Sequence, residues 1–233
     1  MKIAIIGGTS LIGSSFFEHG RRRTLRVGKA CVNVLVRGNA VYLPRHGFGP
    51  GHILPHRIDH PSNFRALQRL GVTTVAAVCS VGSLRRSITP RHFLVPDDYV
   101  SFWSPATAVE NEARHVTPGL DEDIRTTLIR EVRRKKLPCV PGGVYVQTPG
   151  PRLETRAEVR FLATFGDVVG MTMASEATVA RELGLGYAAL CVIDNYANGL
   201  VRRPLSVEEI NASARGKIPL IVSILDNVIK SLS

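Results

Sequence analysis

Short apolar runs alternate with amphipathic segments along the chain, and this alternation restricts the fold more than any other feature. Runs typical of buried strands occur at residues 2–6, 31–37, 40–44, 74–79, 92–96, 144–148, 168–171 and 187–193. Helical spacing occurs at 63–70, 121–136, 155–165 and 175–183, and Ser206 is expected to cap a last helix that reaches about Leu232. The alternation predicts an α/β fold, in one domain over residues 1–233, with a central mixed, partly parallel sheet and helices on both faces.

The charge of the chain raises the question of nucleic-acid binding. There are 30 Lys and Arg residues against 19 Asp and Glu residues, which gives a net charge of +11. The basic clusters at 21–23, 85–86, 130–136 and 202–203 are scattered, and the aromatic residues, 6% of the chain, do not interleave with them. Stacking platforms for bases are therefore not evident. We expect anionic small substrates rather than nucleic acid.

The cysteines and the apolar runs indicate where such a protein works. No apolar run reaches the roughly 18 residues of a membrane span, and residues 1–8 lack a signal-peptide cleavage site. Cys31, Cys79, Cys139 and Cys191 are far apart, so neither a zinc site nor a redox motif is predicted. We expect a cytoplasmic protein without membrane association. Disulfides stay open, because intracellular proteins of hyperthermophiles contain them.

A glycine loop at residues 7–13 follows the first predicted strand. It can be a plain turn, a dinucleotide-binding loop, or a phosphate cradle in which backbone N–H groups act with the hydroxyls of Thr9 and Ser10. A dinucleotide loop requires an acid at the end of the second strand, where this chain has Arg37. We therefore favour the phosphate cradle. A reductase that binds a nucleotide cofactor at residues 7–13 is kept as the alternative from another class.

Arg45 and His46 follow another predicted strand. The guanidinium of Arg45 suits bidentate phosphate binding, and His46 is expected to donate to phosphate or to a sugar hydroxyl. His52, His56 and His60 have the spacing of metal ligands on a helix, but prolines interrupt that segment and no carboxylate cluster joins them. We therefore expect no metal site.

Two more strand ends carry polar groups. Ser80 and Val81 are predicted to form a glycine turn whose backbone N–H groups bind an anion, and no Gly-x-Ser-x-Gly motif marks Ser80 as a nucleophile. Asn195 ends a late buried strand. Its amide both donates and accepts, so it can recognise a carbonyl beside a ring nitrogen.

The segments 143–158 and 169–176 each present polar and apolar side chains after a strand. This combination suits a ligand with a flat hydrogen-bonding part and a sugar part. In order, Gly-Gly-Thr, Arg-His-Gly, Gly-Ser-Leu, Gly-Pro-Arg-x-Glu-Thr, Val-Gly-Met-Thr and the Asn195 strand span nearly the whole chain. The sequence thus resembles the trimeric purine nucleoside phosphorylase and methylthioadenosine phosphorylase family. The resemblance implies the phosphorylase-type three-layer fold and phosphorolysis of a purine nucleoside.

The resemblance also implies roles for single residues. Asn195 and His46 would be catalytic, Leu153 would pack on the base, Glu154 would face the purine edge and Met171 would lie under the ribose. The phosphate would be surrounded by Thr9, Arg45, His46, Ser80, Val81 and Thr172. His115 would reach in from a neighbouring subunit, and Val207 would lie near the 5′ position. Inorganic phosphate would be the co-substrate, with no metal or organic cofactor, in a homotrimer or homohexamer.

Asn195 sets the expected substrate. In this family, an Asn at that position is typical of enzymes that act on 6-oxopurines. Adenine-type members carry Asp there and again at the position of Ala197. We therefore expect inosine, guanosine or 5′-methylthioinosine as the substrate. A 5′-methylthioadenosine phosphorylase is the alternative, because a shift of one residue would place Asp194 at the base.

Overall fold

The computed structural model describes residues 1–48, 51–103, 106–109, 111–202 and 204–232. Gly49 and Pro50 of the loop after His46, and Arg203 of the last basic cluster, lie outside the described residues. The strands are β1 (Lys2–Gly7), β2 (Arg21–Val27), β3 (Ala30–Arg37), β4 (Ala40–Pro44), β5 (Val72–Ser83), β6 (Phe93–Leu94), β7 (Asp98–Ser101), β8 (Cys139–Val140), β9 (Val144–Gln147), β10 (Val168–Gly170) and β11 (Gly186–Tyr196). The helices are α1 (His60–Arg69), α2 (Glu122–Arg134), α3 (Arg156–Leu162), α4 (Met173–Glu182), α5 (Val207–Gly216) and α6 (Ile218–Leu232), with short 3-10 segments at Thr9–Leu11 and Pro55–Arg57.

The strands form one mixed sheet around a parallel centre. β1 is parallel to β4 on one side and to β5 on the other, and β5 is parallel to β11. On the β4 side, β3 and β2 extend the sheet in antiparallel order. β10 pairs antiparallel with the end of β5 and is followed by the parallel strands β9 and β7. β6 and β8 continue the sheet beyond β11.

Helices cover both faces of this sheet because neighbouring residues of its strands point in opposite directions. Ala4 and Ile6 of β1 pack in the cluster that includes residues of α1 and α4. Ile3 and Ile5 pack in the cluster that includes residues of α2 and α6. The predicted α/β fold, with a mixed sheet between two helical layers, is confirmed.

Side-chain caps determine where several helices begin. Asp59 accepts from the backbone N–H of Ser62 before α1, and Asp121 accepts from that of Ile124 before α2. Thr155 and Glu158 form a capping box at α3. The cap of α3 fixes the end of the loop that carries Glu154, whereas Thr172, the residue before α4, makes no side-chain cap hydrogen bond.

Several elements differ from the sequence predictions. β2 was missed because four of its seven residues are arginines and only Val27 is buried; it is an edge strand, where charged side chains are common. The predicted last helix is two helices, because α5 ends at Gly216 and α6 begins anew at Ile218, with Pro219 in its first turn.

No helix in the described ranges combines the length and the apolar character that crossing a bilayer requires.

The segment around residues 7–13 does not have the architecture of a dinucleotide-binding loop. β1 leads into a three-residue 3-10 segment and then into the antiparallel pair β2 and β3, within residues 1–48. A dinucleotide site needs a long helix and a parallel second strand at this point. The alternative of a reductase with its cofactor at this loop is therefore wrong.

Candidate active site

A cavity of about 580 Å³ lies at the ends of the central strands. The register of β5 explains its position. Ile6 of β1 lies opposite Ala77, and Val169 of β10 lies opposite Gly82 on the same edge of β5. The carboxyl ends of β1 and β10 therefore point towards each other. On this edge of β5, no described strand pairs with residues 78–81, which lie between them. The cavity occupies this gap.

The structure brings the predicted site residues together with one exception. The cavity is lined by Thr9, Arg45, His46, Ser80, Val81, Leu153, Glu154, Met171, Thr172, Asn195 and Val207. His115 lies elsewhere, exposed in the loop before α2, where the neighbouring Arg114 donates to the carbonyl of Glu182 at the far end of α4. His115 thus lies on the surface and not in the cavity of the same chain, and its expected contact with a neighbouring subunit stays a prediction.

Arg45 is held by a carboxylate that sequence reasoning missed. Its Nε donates to Glu176 Oε1 at 2.7 Å and its Nη2 to Glu176 Oε2 at 3.1 Å, while Nη1 donates to the carbonyl of Val78 at 2.8 Å. Both side chains are almost fully buried, and Tyr187 donates to Glu176 at 2.8 Å. Glu176 occupies the Nε side of the guanidinium, so a bidentate contact with phosphate stays a prediction and would have to use Nη1 and Nη2. Arg45 has donors left only on Nη1 and Nη2.

The surroundings of Arg45 keep its guanidinium group positively charged. Burial by itself would lower the pKa of Arg45, but Glu176, with Cys79 and Tyr187 beside it, raises that pKa above its usual value. Burial raises the pKa of Glu176, which the charge of Arg45 opposes. A Cβ at residue 8 would lie 2.5 Å from Nη1 of Arg45, so the close approach requires Gly8. The result is a fixed cation beside the backbone of the glycine loop.

His46 is neutral and can accept a proton. Its Nδ1 lies 2.7 Å from the carbonyl oxygen of Ile53, which can only accept, so Nδ1 carries the hydrogen. Burial lowers the pKa of His46 to about 4, despite the hydrogen bond to Ile53. Nε2 therefore keeps a free lone pair. With its hydrogen on Nδ1, neutral His46 can accept a hydrogen bond at Nε2 and cannot donate one there, so its expected role as a donor does not fit this tautomer.

We expect the protein to lose stability as the pH falls from about 6.5 to about 4. Burial lowers the pKa of His46 to about 4 and that of His60 to about 3, below the ordinary value of 6.5. In this range the unfolded chain binds more protons than the folded one, so acid favours unfolding. Urea titrations at several pH values measure this slope. It should be smaller in His60→Asn and unchanged in His19→Asn, an exposed control; an equal slope in both variants would contradict the assignment.

Ser80 and Val81 lie inside a strand, which corrects the predicted turn. β5 continues through Ser83, and Ser80 and Val81 are paired with Val192 and Ile193 of β11. Their other edge faces the cavity. The sequence missed this because Gly82 resembles a turn residue, whereas here it permits a close approach: a Cβ at Gly82 would lie 3.3 Å from Nδ2 of Asn195.

Asn195, and not Asp194, reaches the cavity. Ile193 lies opposite Val81 and Asn195 opposite Gly82, so Asp194 is the extra residue of a β-bulge. The carboxylate of Asp194 is buried and accepts from Ser80 at 2.5 Å. The amide of Asn195 lines the cavity and donates to the carbonyl of Tyr196 at 2.8 Å. The structure therefore places an amide, and not a carboxylate, on this part of the cavity wall.

The proposed base and ribose residues come from two adjacent loops. Glu154 is buried and accepts from Thr148 at 2.7 Å, and Leu153 beside it is 37% exposed. Gly150 adopts a φ of +64°, and a Cβ there would lie 2.5 Å from the sulfur of Met171. The loop after β9 thus packs directly against the end of β10, and Met171 is held between them.

Sequence reasoning also missed part of the lining. His52 stacks on His46 with ring centroids 4.3 Å apart. Asn211 and Arg215 line the cavity from α5, together with the apolar residues Ile12, Leu54 and Leu205. No motif marks the α5 residues, although their spacing of about one helical turn places them on one face. Within the described ranges, no group of three or more His, Cys, Asp or Glu side chains is arranged to hold a metal ion.

Known proteins resemble the chain over almost its full length. It is 40% identical to a probable 6-oxopurine nucleoside phosphorylase of Archaeoglobus fulgidus, over 99% of this chain and 96% of the relative. It is 36% identical to a probable S-methyl-5'-thioinosine phosphorylase of Methanothermobacter thermautotrophicus, over 99% of this chain and 84% of the relative.

A solved structure has the same fold. An adenosine/methylthioadenosine phosphorylase variant from Schistosoma mansoni superposes with a TM-score of 0.87 at 24% identity, over 100% of this chain and 91% of that one. The family model of the phosphorylase superfamily matches residues 2–230. The resemblance inferred from the ordered motifs is thereby confirmed, and the chain belongs to the phosphorylase superfamily.

Proposed function

We propose that the protein is a pentosyltransferase that cleaves the N-glycosidic bond of 6-oxopurine nucleosides with inorganic phosphate. The substrate is inosine, guanosine or 5′-methylthioinosine, and the products are the free purine and ribose or methylthioribose 1-phosphate. One observation carries this proposal: a single cavity contains the fixed cation of Arg45, the hydroxyls of Thr9 and Thr172, and the amide of Asn195. The names of the two archaeal relatives support the same reaction.

The chemistry follows from these groups. A phosphate oxygen attacks C1′ of the sugar while the bond from C1′ to the purine nitrogen breaks and its electrons move to the purine. The sugar develops oxocarbenium character, which the anionic phosphate stabilises, and the purine gains negative charge, which hydrogen bonds from Asn195 stabilise. His46 accepts a hydrogen bond from phosphate through Nε2 and so fixes which phosphate oxygen stays unprotonated and nucleophilic. No step requires a metal or an organic cofactor.

The same proposal includes an assembly of identical subunits, a trimer or a hexamer. Its support is an exposed aromatic patch formed by Phe102, Trp103, Phe161 and Phe165, whose neighbouring ring centroids lie 5.1 to 6.1 Å apart. Glu154 borders both this patch and the cavity. Exposed aromatic clusters of this kind are typical of protein interfaces. A second copy on the patch would lie beside the base site.

We further propose that residues 1–233 form one phosphorylase domain that works in the cytoplasm without nucleic-acid or membrane partners. The four cysteines are free, and Cys79 and Cys191 lie on adjacent strands without a bond between them. Free thiols suit a reducing compartment.

The second candidate is a 5′-methylthioadenosine phosphorylase. Its support is the apolar lining near Val207, which suits a methylthio group. The carboxylate of Asp194 lies next to Asn195 in the chain but is paired with Lys217. The two candidates differ in the edge of the purine: a 6-oxopurine presents an acceptor, and adenine presents an amino group.

Initial rates of purine release test the proposal. Inosine, guanosine, adenosine and the 5′-methylthio forms of inosine and adenosine are each assayed with and without phosphate. We expect turnover only with phosphate and a preference for the 6-oxopurine forms. Release that does not depend on phosphate, or a preference for the adenosine forms, would contradict it.

A further inference from the structure

A buried charged network lies directly behind the base position. The side chain of Asp194 is fully buried, and its Oδ1 lies 3.1 Å from Nζ of Lys217. Ser80 donates to Oδ2 at 2.5 Å, and Ser213 donates to Oδ1 at 3.3 Å. Both carboxylate oxygens therefore have hydrogen-bond donors within the protein. A buried carboxylate in this state is stable only because it is paired and hydrogen-bonded.

Lys217 connects this carboxylate to the backbone of β11. Its Nζ also donates to the carbonyl of Ile193 at 2.6 Å and to Ser213 at 3.0 Å. Ile193 and Asp194 are the residues at which the register of β11 shifts. One ammonium group thus holds both the extra residue of the bulge and the residue before it. The bulge determines that the side chain of Asn195 faces the cavity.

The network also joins separate walls of the cavity. Ser80 lies on β5 at the proposed phosphate end, and its hydroxyl hydrogen is directed to Asp194 rather than to the cavity. Lys217 lies at the end of α5, whose residues Val207 and Asn211 line the cavity. The positions of the base, the phosphate strand and α5 therefore depend on the same carboxylate.

We propose that Asp194 and Lys217 form a specificity-positioning pair, which keeps the carboxylate out of the base site and presents Asn195 as the residue that reads the purine. This inference rests on the proposed function. Neither residue touches the substrate. With the pair intact, the base site contains an amide, which suits the carbonyl of a 6-oxopurine. Without the ammonium group, Asp194 is left buried with hydroxyl donors alone and gains by turning towards the cavity, where the 6-amino group of adenosine donates to it.

The test is the ratio of kcat/KM for adenosine to kcat/KM for inosine. We expect Lys217→Met to raise this ratio by at least about tenfold, because an unpaired polar group in the site discriminates between an amino group and a carbonyl. Lys217→Arg keeps the ion pair, and Asp194→Asn/Lys217→Met removes both charges, so both variants should retain the wild-type ratio. If the pair had a purely structural role, Lys217→Met would lower kcat/KM equally for both substrates and leave the ratio unchanged.

Two controls separate the possible failures. Should Lys217→Met fail to fold, Ser80→Ala removes a weaker partner of the same carboxylate and should shift the ratio in the same direction by a smaller factor. An unchanged ratio in a folded variant overturns the inference while wild-type phosphorolysis still supports the proposed function. A wild-type protein that releases no purine with phosphate overturns the proposed function itself.

Discussion

Replacing Arg45 with methionine should reduce phosphate-dependent turnover by about 10²–10³-fold and lower the free energy of unfolding by about 3–5 kcal/mol. Turnover falls because the proposed phosphate site loses the buried cation of Arg45. Stability falls because the buried carboxylate of Glu176, whose side chain is 1% exposed, loses the cation and both donors of the guanidinium. Tyr187 remains as its hydrogen-bond donor. Steady-state kinetics and urea denaturation measure the two losses.

The two effects of Arg45 can be separated with a second change. Arg45→Met/Glu176→Gln removes both charges, so stability should largely return while turnover stays low. Arg85→Met is a matched control, because Arg85 pairs with Asp167 at 2.9 Å but is 43% exposed; its loss should cost less than about 1 kcal/mol. Equal destabilisation by Arg45→Met and Arg85→Met would show that the buried ion pair does not make the proposed contribution to the free energy of unfolding. Full turnover in the double variant would show that phosphate does not depend on Arg45.

Replacing Asn195 with aspartate should shift the preference between inosine and adenosine by about 100-fold towards adenosine. A carboxylate accepts from the 6-amino group of adenine but cannot donate to the carbonyl of a 6-oxopurine. A hydrogen bond to a charged group contributes about 1.5–3 kcal/mol, which corresponds to a factor of about 10 to 150. The measurement is kcat/KM for each nucleoside at saturating phosphate.

Asn111→Asp is the control for this exchange. It makes the same chemical change in an exposed loop outside the cavity, so the ratio of the two substrates should stay at the wild-type value. If Asn195→Asp also keeps that ratio, Asn195 does not read the base. In that case the specificity would have to come from Glu154 or from the backbone.

The strand-end residues could be predicted from the sequence for a topological reason. The carboxyl ends of β1, β4 and β11 lie at one edge of the sheet, so polar residues that follow buried runs converge there. Thr9, Arg45 and Asn195 were found in this way. Their elements were recognisable because buried parallel strands are almost continuous apolar runs.

What the sequence could not provide is pairing across the fold. Glu176 stands 131 residues from Arg45 in the chain, and nothing local marks it as the partner of that arginine. The bulge at Asp194 is a matter of register between β11 and β5, which the residues of β11 alone do not determine. The role of Lys217 could not be predicted for a related reason. The helical pattern is continuous from 207 to 232, so the sequence does not indicate the break between α5 and α6 at which Lys217 lies.

The central claim is that phosphate, and not water, takes the pentose from a 6-oxopurine nucleoside in this cavity. The most direct measurement is ³¹P NMR of the wild-type protein with inosine and inorganic phosphate. We predict that a sugar 1-phosphate resonance grows as the phosphate signal falls, in equal amount to the hypoxanthine released, and that Arg45→Met slows both together. Hypoxanthine released with free ribose and an unchanged phosphate signal would contradict the account.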